Sequence, residues 1–130
     1  MKPRSGQAAV EFLALFIIVL AGLAVASAVS LQKTQAIYQA QTGIEAGKLL
    51  TSVSTKINSA FIEGDGFSIN MTLPQDIFTY DYSIALDTNH VIITVANNSY
   101  FRDLLTENIT GTLGKGANTI TNVNGEIVIN

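Results

Sequence analysis

The chain contains no cysteine, no tryptophan, one histidine (His90) and two prolines, Pro3 and Pro74. Without thiols there is no disulfide framework and no thiolate chemistry, and the redox compartment stays undetermined. A lone histidine with no thiol serves zinc poorly, so no metal site is expected. Charge is scarce as well: 13% of the 130 residues are charged and the net charge is −3 at pH 7. Phosphate backbones are held by basic patches, and this acidic, lightly charged chain argues against nucleic acid as a partner. The length leaves room for one domain and one helical stalk.

What is present begins with an apolar run, Ala8–Leu31, preceded by Lys2 and Arg4 and interrupted by a single acid, Glu11. A helix of about 24 residues is roughly 36 Å long, enough to span a bilayer core. A carboxylate at hydrocarbon depth costs a few kcal/mol even on lenient scales, so Glu11 needs a compensating partner. Gly22, Ala26 and Ser30 lie on one helix face, and such small residues let other helices approach closely.

Beyond Leu31 the sequence turns polar without a break. Apolar or small residues recur at Ile37, Ala40, Ile44, Gly47, Leu50, Val53, Ile57 and Phe61. Steps of three and four make one helix face, and Glu63-Gly64-Asp65-Gly66 stops the helix. A helix over residues 7–62 would be on the order of 80 Å long, so its second half needs cover other than lipid. Gly43 and Gly47 each cost close to 1 kcal/mol relative to alanine in a helix. They are either close-approach points for another backbone or tolerated surface glycines.

After Gly66 the period changes to two, as in half-buried antiparallel strands. Phe67, Ile69, Met71 and Leu73 alternate up to Pro74; Phe78, Tyr80, Tyr82, Ile84 and Leu86 follow; then Val91, Ile93 and Val95, closed by Asn97-Asn98. Residues 99–115 are less regular, with 100–105 a helical turn or a bulged edge. Thr119–Val123 and Glu126–Ile129 flank Asn124-Gly125, a strong hairpin signal. The fold class expected is α+β: a long N-terminal helix packed on a small antiparallel β head of five or six strands over residues 63–130.

The head offers no catalytic constellation, and no enzyme or cofactor is expected. His90 has no nucleophile or carboxylate at an informative spacing. Glu63, Asp65, Asp76, Asp81 and Asp87 match no calcium loop and read as solvated acids. Gly111-x-x-Gly114-x-Gly116 opens no helix, so it cradles no phosphate. Asn70, Asn97 and Asn108 begin N-glycosylation sequons, although a chain rich in Asn and Thr produces such triplets by chance.

Gln7, Glu11 and Leu15, preceded by Gly6 and a basic leader, resemble the class III signal peptide of archaeal type IV pilin precursors, Q-x-S-x-E-x-x-x-L. Ala9 stands at the serine position. The resemblance covers about the first 30 residues. It implies that prepilin peptidase cuts between Gly6 and Gln7, removing residues 1–6 and keeping the apolar helix, with 7–31 as membrane segment and later filament core. Five Lys/Arg would then face ten Asp/Glu, a net charge of −5. It further implies that Glu11 pairs with the new amino group of Gln7 on a neighbouring subunit. The product would be a helical homo-oligomer made by the pilus assembly machinery, held in the cytoplasmic membrane as precursor and extracellular in surface adhesion once assembled. An archaellum-type subunit is a near neighbour. Ala24-Val25-Ala26 or Ala26-Ser27-Ala28 also fits an ordinary secretory cleavage site, and an uncleaved anchor needs only the apolar run and its basic flank. Those readings give a secreted or membrane-anchored binding module.

Overall fold

A proline-free stretch bounded by glycines is free to form one helix. In the computed structural model, which describes residues 5–130, α1 runs over Ser5–Glu63. Lys2 and Arg4, and with them most of the expected leader, lie outside the described residues. Two units are distinguished, Met1–Gln39 and Ala40–Asn130. In the first, the described residues are all helical, and every residue from Gly6 onward is exposed.

The second unit carries residues 40–63 of α1 and seven strands: β1 (Ser68–Leu73), β2 (Tyr82–Asp87), β3 (His90–Val95), β4 (Asn98–Asp103), β5 (Ile109–Gly111), β6 (Gly116–Val123) and β7 (Glu126–Ile129). They form a four-stranded sheet, β1-β6-β7-β5, and a three-stranded sheet, β2-β3-β4. All pairings are antiparallel except β5 with β7, which is parallel. The long helix therefore packs on antiparallel sheets, an α+β arrangement. Ala46, Leu50, Val53, Ile57 and Ala60 from α1 share one core with Met71, Leu73, Ile120 and Ile127 of one sheet and Val91, Ile93 and Val95 of the other.

The seam on α1 differs from the stripe expected from the sequence. Thr42, Ala46, Leu50, Val53, Ile57 and Ala60 are buried, whereas Ile37 and Ile44 are 58% and 59% exposed. Small residues at 42, 46 and 60 let the sheets approach the helix, and a search for large apolar side chains passes over them. Phe78 and Tyr80 also leave their expected strand. They sit in a tight turn closed by an Ile77–Tyr80 bridge, with Phe78 at φ 61°. The irregular stretch after Ser99 contains a full strand, β4, on the sheet edge.

The polar connections explain how the helix end is tied down. The last carbonyls of a helix have no partner within it. Here the buried Asn122 amide donates to Ala60 O at 3.0 Å, and its Oδ1 accepts from Gly125 N at 2.8 Å. Asn58 Oδ1 accepts from Leu105 N at 2.9 Å, and Lys56 Nζ donates to Asn70 O at 3.1 Å. The two sheets are joined in the same manner. Tyr82 OH, on β2, donates to Pro74 O at 2.7 Å, just past β1, while Lys115 lies over the Tyr82 ring and pairs with Asp81.

Two hairpins have two-residue loops with positive φ at both positions: Asn124-Gly125 (54°, 87°) and Ala96-Asn97 (48°, 64°). That is the type I′ pattern, which matches strand twist. Asparagine and glycine tolerate it; alanine at a left-handed φ costs roughly 1–2 kcal/mol. Ala96→Gly is therefore expected to stabilise the head by about 0.5–1 kcal/mol after glycine's extra unfolded-state entropy is counted. Thermal denaturation of the full chain checks this, and an unchanged or lowered midpoint would mean that the turn is not strained.

Candidate functional site

Alanine, leucine, isoleucine and valine without proline make residues 8–31 a helix that any apolar surrounding supports. Among the described residues nothing supplies that surrounding. Phe12, Leu15, Ile18 and Leu31 are each more than three-fifths exposed, and no part of the most apolar window of α1 is buried. A helix in the core of a soluble domain would be mostly covered. Among the described residues this is one helix long and apolar enough to cross a membrane.

Glu11 stands exposed on this helix, its carboxylate accepting one weak hydrogen bond from Gln7 Nε2 at 3.3 Å. The pair is the ordinary one-turn spacing of a helix face, and a neutral amide does not offset the cost of a carboxylate in an apolar medium. Gly6 and Gln7 lie on α1, at the start of its described residues, and both are exposed. Leu15 points outward one turn beyond Glu11. Gly22 has no atom within 4 Å of where a Cβ would stand, and Ala26 is exposed. The small-residue face is open to a partner helix.

The two glycines of the second unit part company. A Cβ on Gly43 would lie 3.0 Å from the Tyr100 hydroxyl, so Gly43 makes room for the aromatic side chain of β4. The close approach expected there is real, but the neighbour is a tyrosine ring and not a backbone. A Cβ on Gly47 would meet nothing within 4 Å beyond its own helix backbone, so among the described residues no tertiary contact accounts for it.

The remaining candidates are solvated. Asn70, Asn97 and Asn108 are all exposed, on β1, in the β3–β4 turn and in the β4–β5 loop, which leaves each accessible for modification. His90 acquires the carboxylate that sequence spacing could not reveal. The β3–β4 register sets it opposite Asp103, Nε2 to Oδ1 at 3.1 Å, with the Phe101 ring edge-on at 5.7 Å. No nucleophile joins them. Among the described residues no group of three or more His, Cys, Asp or Glu could hold a metal ion. The 111–116 loop is held by Asn118, which bonds Gly114 N and O and Gly116 O.

The shifted titrations are structural. The Lys115 ammonium beside Asp81 holds its carboxyl below the usual carboxylate range, and burial pushes the Tyr82 phenol up. Sequence reasoning passed over one further feature, a cationic groove beside β4, because its residues meet only in the folded chain. Comparison with protein-family models, curated proteins and solved structures yields no match to this chain.

Proposed function

We propose that this chain is a structural subunit of an extracellular type IV pilus-like filament, assembled through its N-terminal helix and serving surface adhesion. The observation that carries the reading is an apolar helix, uncovered by the rest of the chain, that bears a single carboxylate one turn past a candidate cleavage site. Lipid can solvate the helix in the precursor, and helices of neighbouring subunits can bury the same surface after extrusion. Only the second environment offers Glu11 a cationic partner, the amino group that cleavage before Gln7 would create. Head-to-tail contacts of this kind are heterologous and do not close, which yields an open filament. The head, lacking a nucleophile–base pair or metal set among its described residues, fits a structural role.

Processing is the direct test. Native protein is expected to begin at Gln7, read by N-terminal sequencing or intact mass. A mature chain beginning at Ser27 or Val29 would move the protein to the secreted binding-module class. An intact Met1 would make the helix a plain membrane anchor.

A further inference from the structure

Residues 40–130 contain four Lys/Arg: Lys48, Lys56, Arg102 and Lys115. Three of them line one groove of about 620 Å³, together with Gly47, Thr51, Ser52 and Thr55. The helix supplies all but Arg102, which comes from the edge strand β4. In a chain with an excess of acid, this gathers the minority charge in one place. Only Lys48 is partly neutralised by a carboxylate, Glu45 at 2.8 Å; Lys56 meets a neutral carbonyl. The Arg102 guanidinium forms no hydrogen bond or ion pair among the described residues, so its planar fork of donors is free for an oxyanion.

Gly47 supplies a second, separate observation. It weakens the helix by close to 1 kcal/mol relative to alanine, and nothing in the chain occupies the space a side chain would take. Its effect is to keep the groove floor low. The other lining side chains each carry a hydroxyl, while most of the lined surface is apolar, made of the Lys48, Lys56 and Arg102 stems and the threonine methyls. Thr51 donates to Gly47 O, leaving its oxygen to accept, and the Ser52 and Thr55 hydroxyls have no partner among the described residues. Protein interfaces are anchored by aromatic and aliphatic side chains and are depleted of lysine at their core. No aromatic or aliphatic residue lines this groove. Cations between hydroxyls match a ligand that carries both negative charge and many hydroxyls.

We propose that this groove binds an acidic polysaccharide, with Arg102 clamping a carboxylate or sulfate and the Thr51, Ser52 and Thr55 hydroxyls meeting sugar hydroxyls. The site belongs to the head and does not depend on filament assembly.

The test uses full-length protein in non-ionic detergent and three labelled probes: oligogalacturonate, a sulfated uronate hexasaccharide, and neutral dextran of similar size. Saturable binding of the first or second, weakening as salt rises, and no binding of dextran are expected; which of the two binds better tells carboxylate from sulfate. Arg102→Gln and Gly47→Leu should each weaken binding about tenfold or more, the first by removing the clamp and the second by filling the floor with charge unchanged. Lys33→Gln, exposed and outside the groove, should stay within about twofold of the parent. Thermal melts establish that the substitutions leave the fold intact. The proposal is overturned if neither acidic probe binds at low salt, or if Lys33→Gln loses as much as Arg102→Gln. It is overturned equally if Gly47→Leu binds like the parent, or if Arg102→Gln abolishes self-association and spares probe binding, which would make a second copy the occupant.

Discussion

Glu11→Gln and Glu11→Ala are expected to leave processing and membrane insertion largely intact while abolishing or crippling filaments. In the membrane the carboxylate can reach toward headgroups, and losing it there costs nothing. In a filament core the same group would face the amine of Gln7 on the next subunit. Attraction in that medium is strong and desolvation offsets much of it, but removing one partner of a buried pair leaves the other unpaired, at about 3–5 kcal/mol. If each subunit joins through such a contact, as proposed, the addition equilibrium should fall by about two to four powers of ten. Glutamine keeps the volume and hydrogen-bonding capacity of glutamate, so its failure would isolate charge as the cause. Electron microscopy of mutant cells, with immunoblots of their membranes, provides both readouts. Normal filaments from both substitutions would show that no such pair is needed.

Large apolar residues at regular spacing were legible in the sequence. The alternation in β1 and β3 and the Asn124-Gly125 turn stand where the pattern put them, because one face of each strand is built from Met, Leu, Ile or Val. β4 was hidden, since its inner face is Asn98, Tyr100 and Arg102, and an edge strand is held by backbone pairing to β3 more than by burial. Ala96-Asn97, the turn that makes it a hairpin partner, lies one residue before the Asn97-Asn98 stop expected from the sequence, because Asn98 already pairs with Val95. On α1 the seam also uses Thr42, Ala46 and Ala60, small residues that carry little apolar signal, while Ile37 and Ile44 keep the period but stay exposed in the single chain, which leaves neighbouring subunits as their expected cover. Candidate sites split along the same line. Glu11 and Gln7 are neighbours in sequence and could be read directly. The cationic groove joins Lys48 and Lys56 on the helix to Arg102 on a distant strand, a meeting that only the tertiary fold creates.

The helix is also expected to be inseparable from the head it carries. A fragment beginning at Leu31 should be soluble and melt in one cooperative transition, whereas a fragment beginning at Gly64 should show none. About 65 residues of sheet bury too little on their own to be secure. Here the deficit is specific. Leu50, Val53 and Ile57 are nearly or fully buried side chains of the shared core, and without them Ile120, Ile127, Val91 and Ile93 would face water. Asn122, 1% exposed, would exchange the Ala60 carbonyl it bonds for water, and the link between sheet and helix end would be gone. A point substitution gives the graded version. Ile57→Ala in the longer fragment should cost about 2–5 kcal/mol, lowering its midpoint by about 4–8 °C for each kcal/mol in a unit of this size. Ile44→Ala, on the exposed face, should change the midpoint by a degree or two at most, which separates the observed seam from the stripe that simple periodicity suggests. If the fragment from Gly64 melts cooperatively at the temperature of the longer one, the helix is only a tether, and the shared core has no energetic weight.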